Sequence, residues 1–187
     1  MTAPKTPKVK KPAKKPAKAV TAKLEKKPAK KSETTEDSVN AIFAQINEKM
    51  ASFENCEREG QLKPFDYDEV IGMLDMVLAI DPDNRNAINF KGMMFVGMGD
   101  NNKALECFDR VLAANPADKE ALNNKGIALY GLGKDKEALK YVDKAIELDG
   151  RYSDALMNKA VILHGMGKDK EAESLLSKAR ALYNING

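Results

Sequence analysis

The sequence predicts an all-α fold, a stack of antiparallel helical hairpins, on three observations. Gly99, Gly133 and Gly167 fall 34 residues apart, as do Ala104, Ala138 and Ala172, and Gly97, Gly131 and Gly165, so a unit of fixed length recurs. Within one unit, from Asp118 to Leu148, apolar or small residues return at three and four: Leu122, Gly126, Leu129 and Leu132, then Ala138, Val142, Ala145 and Ile146. Gly131 and Gly133 separate the two runs, and Pro82, Pro116 and Gly150 close successive units, as two helices, a short turn and a stop require. Asp75, Asp109 and Asp143 carry the interval back into a fourth, weaker copy.

In chain order, the first element is not a repeat. Residues 1–31 hold twelve lysines and five prolines against one acid, Glu25, a net of +11; the whole chain is +3, so residues 32–187 carry −8. With almost no large apolar residue, this segment cannot bury enough surface to offset the entropy of ordering, and residues 1–35 are expected to be a disordered basic tail. Its run Lys10-Lys11-Pro12-Ala13-Lys14-Lys15-Pro16-Ala17-Lys18 resembles the Lys-Ala-Pro tails of linker histones. That resemblance implies a mobile polycation in which Lys8, Lys10, Lys11, Lys14, Lys15, Lys18, Lys26, Lys27, Lys30 and Lys31 neutralise phosphates without reading bases. About six lysines on duplex DNA would give a log–log salt slope of roughly −5. A tail that folds back on the acidic body remains the alternative. No aromatic residue precedes Phe43, so base stacking by the tail is excluded.

Residues 36–84 read as a divergent first hairpin. Val39, Ile42, Phe43, Ile46, Met50 and Phe53 predict a long helix from Glu36 to Arg58, capped by Thr35 or Ser38; an unusually long turn, Gly60 to Phe65, follows, and Tyr67 to Ile80 form the partner, closed by Asp81-Pro82. Three clear repeats occupy residues 85–187, as 85–118, 119–152 and 153–186. Gly92, Gly126 and Ala160 on the first helices, with Ala104, Ala138 and Ala172 on the second, permit close backbone approach. Phe95, Leu129, Leu163, Phe108, Val142 and Leu176 fill the space around those crossings.

Residues 85–118, with Gly92, Phe95, Ala104, Phe108 and Pro116, resemble the tetratricopeptide repeat, whose signature is W-x2-L-G-x2-Y, A-x3-F and a terminal P. The next two units follow with aliphatics for the aromatics. The departures are consistent: Ile88, Leu122 and Leu156 replace tryptophan, and Lys91, Lys125 and Lys159 replace the leucine before glycine. The resemblance implies a right-handed superhelix whose first helices line a concave surface. At the family's ligand-facing positions stand Asn86, Asn89, Met93 and Val96, then Glu120, Asn123, Ile127 and Tyr130, then Asp154, Met157, Val161 and His164. Asn124 and Asn158 fall where the family commonly has asparagine. Asn89 and Asn123 are expected to bond the backbone of an extended peptide. One branch of the family grips a C-terminal carboxylate with cations. Here those positions carry Asn89, Met93, Asp154 and Asn158, leaving Asn124, so a neutral or basic extended segment fits better.

No catalytic constellation is present. The one histidine, His164, has no cysteine or second histidine for a metal; no nucleophile elbow or phosphate loop occurs, and no metal or cofactor is expected. Cys56 and Cys107 stand apart and are expected to be buried free thiols. The longest apolar run, Met76 to Ile80, is too short to span a bilayer, and no signal-peptide pattern follows the basic start, so a soluble cytoplasmic protein with no membrane contact is expected. The last helix, with Leu175, Leu182 and Tyr183, has no successor to cover it, from which a weak homodimer is expected. Two functions fit: a non-enzymatic protein-interaction scaffold with a polyanion-binding tail, or a nucleic-acid-associated protein whose tail is the active part and whose repeats mediate assembly.

Overall fold

The computed structural model describes residues 33–58 and 65–186, which belong to one compact unit, Ser32–Gly187. The lysine-rich tail lies outside the described residues, as does most of the long turn after the first helix. Eight helices follow one another with no strand among the described residues: α1 (Glu33–Arg58), α2 (Tyr67–Ile80), α3 (Arg85–Gly97), α4 (Asn101–Ala114), α5 (Lys119–Gly131), α6 (Asp135–Leu148), α7 (Ser153–Gly165) and α8 (Asp169–Asn186). Each packs against the next, and α3, α5 and α7 also touch in series. This is the expected stack of tetratricopeptide-like hairpins.

Local chemistry sets the helix ends. Asp66, Asn84, Asp100 and Asp118 each accept from the backbone N–H three residues on, at 2.9, 3.0, 3.3 and 2.9 Å, so four helices begin on a side-chain cap. Between the helices of each repeat, Gly99, Gly133 and Gly167 take φ of +81°, +72° and +76°, the left-handed conformation that only glycine adopts without strain. Paired bonds complete the turn: Gly133 N–H to the Tyr130 carbonyl at 2.8 Å and Lys134 N–H to the Leu129 carbonyl at 3.0 Å.

The expected boundary at the first hairpin is corrected. Helix α1 begins at Glu33, three residues early, which places Thr35 and Ser38 inside the helix rather than at its cap. Glu36 and Asp37 lie in the opening turns, where carboxylates favour the helix dipole. Val39 and Ile46 pack on Val70, Leu74 and Val77 of α2, while Phe53, Phe65 and Tyr67 meet edge-to-face at 4.9 and 4.8 Å.

Inside the repeats the small residues do what their spacing predicts. A Cβ on Gly92 would reach the Phe108 ring at 2.5 Å, and one on Gly126 would collide with Val142 and approach the Ala138 carbonyl at 3.1 Å. Ala104, Ala138 and Ala172 are buried, as are Ile88, Leu122 and Leu156 in the tryptophan slot. The periodic lysines and aspartates, which look unrelated in the sequence, are partners sixteen residues apart. Lys91 bonds Asp75 at 2.5 Å, Lys125 bonds Asp109 at 2.5 Å and Lys159 bonds Asp143 at 2.7 Å, one pair at each junction between a second helix and the next first helix. Desolvation opposes the charge of Lys125, but Asp109 and the Tyr141 hydroxyl outweigh it and raise its ammonium above the usual range.

The last helix also departs from expectation. Leu105 and Leu112 of α4 pack against the cluster around Leu122 and Leu129, and Leu139 of α6 packs against Ala160 and Leu163 of the following helix. One repeat further on, α8 carries Glu173 where Leu105 and Leu139 stand, and Arg180 where Leu112 and Ile146 stand. Leu175, invoked for self-association, packs on the Ala160, Leu163 and Ala172 cluster. Two positions on the side where a further hairpin would sit are thus charged, and Leu175 is taken up within the chain; Leu182 is half-buried, and the side chain of Tyr183 lies outside the described residues.

Candidate functional site

The first helices α3, α5 and α7 lie side by side, so residues 34 apart form rows across them. One row is Met93, Ile127 and Val161. Met93 is 44% exposed and Val161 50%, with Ile127 half-buried between them; Met157, one turn before Val161, is also exposed. Apolar side chains left in water in register across three helices make a strip that another chain can cover.

Beside this strip runs a ladder of amides. Asn158 donates to the Asn123 side-chain carbonyl at 3.0 Å, Asn123 to Asn124 at 3.4 Å, and Asn124 to Asn89 at 3.2 Å. Asn123 is only 3% exposed, and it also bonds the Tyr152 hydroxyl, whose pKa burial pushes up to about 12 with help from Asp154 and Glu120. The amide of Asn123 therefore serves the protein's own packing, which corrects its expected role in bonding a peptide backbone. Asn89, Asn124 and Asn158 are half-buried and line the ladder's edge.

The third row, Asn86, Glu120 and Asp154, holds the charges, and here a residue that the sequence pattern does not single out takes the central position. Arg85 reaches from α3 to Asp118 at 2.6 Å and to Glu120 at 3.3 Å, and donates to the Asn86 side-chain carbonyl at 3.0 Å. Burial opposes the charge of Asp118, but the Ala121 N–H and the Arg85 guanidinium outweigh it and hold its carboxyl below the usual carboxylate range. Glu120 is thus partly neutralised, and Asp154 stands exposed. The available signal was Arg85 itself, an arginine one repeat from Lys119, opposite a capping aspartate.

The fourth row is Val96, Tyr130 and His164. Tyr130 lies over Gly165, where any added Cβ would come within 2.5 Å of the hydroxyl. His164, in the last turn of α7, is exposed, and its Nδ1 lies 2.6 Å from Asp169 at the start of α8. All fourteen residues predicted for the face lie on α3, α5 and α7, but they divide into an apolar strip, an internal ladder, a charged edge and a fourth row near the helix ends. Cys107 is half-buried and free, and burial pushes its thiol up. The side chain of Cys56 lies outside the described residues. Among the described residues no three His, Cys, Asp or Glu side chains are grouped to hold a metal, and no helix is long and apolar enough to cross a membrane.

Residues 91–153 match the Tetratricopeptide repeat family. No curated protein shows a significant sequence match. Among solved structures, the chain is similar to a thermophilic tetratricopeptide repeat protein of Thermus thermophilus, at a TM-score of 0.60 and 19% identity over 74% of each chain. It is similar to MamA from Desulfovibrio magneticus at a TM-score of 0.56 and 20% identity, covering 82% of this chain and 88% of that one. An O-GlcNAc transferase of Thermobaculum terrenum matches at a TM-score of 0.58 and 22% identity over 72% of this chain but 24% of its own. At these identities the likeness is one of fold.

Proposed function

We propose that this stack of tetratricopeptide hairpins is a non-enzymatic scaffold that binds an extended neutral or basic segment of a protein partner along α3, α5 and α7. The observation that carries the reading is the strip of exposed Met93, Val161 and Met157 with half-buried Ile127 between them, edged by Glu120 and Asp154. The apolar strip supplies the driving force and the acids favour lysine or arginine over a carboxylate. In the same reading the lysines of residues 1–31 attach the protein to a polyanion by counterion release, independently of base sequence.

Selection of peptides from a random library on the immobilised full chain tests the first part. Enriched sequences are expected to combine apolar with lysine or arginine residues and to lose binding to a Met93→Asp, Val161→Asp variant. Acidic sequences, or binding indifferent to that variant, overturn the reading. For the tail, salt-sensitive retention on heparin is expected to vanish when residues 1–31 are removed; retention that persists places the polyanion site on the helices.

A further inference from the structure

A second exposed apolar surface lies on α2, away from the face described above. Gly72, Met76 and Ile80 are four residues apart and share one side of the helix, with Ala79 between them. Met76 is 58% and Ile80 40% exposed. Glu69, one turn before Gly72 on the same side, bonds Lys49 of α1 at 2.7 Å, and Asp75, next to Met76, bonds Lys91 of α3. Met76 and Ile80 remain exposed beyond these two ion pairs.

The repeat supplies its own comparison. Where α2 has Gly72 and Met76, α4 has Glu106 and Arg110, and α6 has Lys140 and Lys144; the Ile80 position holds Ala114 and then Leu148, itself 51% exposed, so Gly72 and Met76 are what set α2 apart. Gly72 is also unlike Gly92 and Gly126, which make room for a neighbouring side chain: a Cβ on Gly72 would meet nothing within 4 Å. A glycine in a helix interior weakens the helix, and among the described residues no contact requires one here. A partner lying close over the helix backbone would.

Charge selects the partner. Asp66, Asp68, Glu69, Asp75, Asp81 and Asp83 lie on α2 and its flanks and outnumber the four cations among the described residues that reach this acidic group, Lys49, Lys91, Lys103 and Arg110. A second copy related by a twofold axis would set acids against acids, so a basic partner is favoured. We propose that the Gly72–Met76–Ile80 ridge docks an amphipathic helix whose apolar side crosses over Gly72 and whose flanks carry lysine or arginine.

The test uses the full-length chain and a fluorescent Leu/Lys amphipathic peptide, with a Leu/Gln peptide of the same pattern as control. Tighter binding of the Leu/Lys peptide is expected. Met76→Lys with Ile80→Lys is expected to weaken that binding about tenfold or more. Gly72→Gln is expected to weaken it comparably while raising the melting temperature, a combination that loss of structure does not produce. The same measurements are repeated in a Met93→Asp, Val161→Asp background, which removes the strip on α3 and α7: binding is expected to persist there and to fall with the α2 substitutions. Equal affinity of the two peptides, insensitivity to the α2 variants, or loss only in the Met93/Val161 variant would overturn the proposal. So would self-association of the wild-type chain that the Met76/Ile80 variant abolishes, since a second copy would then cover the ridge.

Discussion

Arg85 and Asp118 join two repeats through one bond: the guanidinium lies half in solvent, and the carboxylate that it meets at 2.6 Å is fully buried. Asp118 also caps α5, so one side chain fixes both the start of that helix and its distance from α3. Asp118→Asn keeps a capping oxygen but removes the charge. It is expected to cost about 1–2 kcal/mol at neutral pH, discounted for the exposed arginine. Because the folded state depresses the Asp118 pKa, its stabilisation is present above the ordinary carboxylate value and lost as pH falls through the folded one. Urea denaturation of both proteins at about pH 7 and about pH 3, on either side of the carboxylate range, checks this: the gap should narrow in acid.

Asn123→Ala is expected to destabilise the protein by about 1–3 kcal/mol, because Asn158 and Tyr152 lose a buried partner. Asn86→Ala, at an exposed position of the charged edge, should leave stability within about 0.5 kcal/mol. Thermal melts separate the two. An unaffected Asn123→Ala melting temperature would show that the ladder does not hold the helices together.

Two helical glycines should respond to alanine with opposite sign. At Gly126 the new methyl meets Val142 and the Ala138 carbonyl, and a loss of about 1–3 kcal/mol is expected. At Gly72 it enters open space in a helix interior, and a gain of about 0.5–1 kcal/mol is expected. Chemical denaturation of both variants checks the contrast.

Lys125→Leu introduces the residue that the tetratricopeptide signature has before glycine, and is expected to change stability by no more than about 1 kcal/mol. The lysine stem already fills the site, and the Asp109 left behind is largely exposed. Equilibrium unfolding with and without added salt tests it: wild type should be the more salt-sensitive of the two.

The sequence made the hairpins legible because glycine at a left-handed turn and alanine at a helix crossing admit few substitutes, so Gly133 and Ala138 announce their places. Pairing was harder to read. The series Lys91, Lys125, Lys159 and Asp75, Asp109, Asp143 were each visible, but a sixteen-residue separation says nothing until the helix crossing brings the ends together. The inner face was legible as a set of positions and not as a set of roles. Whether Asn123 points to a ligand or to Asn158 depends on how far α5 and α7 are apart, a distance that backbone periodicity does not encode. Thr35 and Ser38 misled because both are good caps, while a stronger run of acids carried α1 past them.

The recurrence of the same pairings at successive junctions makes the repeats exchangeable parts. If one period, residues 118–151, were excised, α4 would meet α7, and Asp109 would face Lys159 as it now faces Lys125. Asn158 would stand where Asn124 now bonds Asn89, and Leu105 and Leu112 would receive Leu156 and Leu163 in place of Leu122 and Leu129. The position of the seam decides one further contact. A cut after Ala117 puts Tyr152 in the place of Asp118 and offers Arg85 no carboxylate, whereas a cut one residue later keeps Asp118 at the head of α7. The array's length is therefore editable in steps of one unit, and the Arg85–Asp118 bond marks where the scissors should fall.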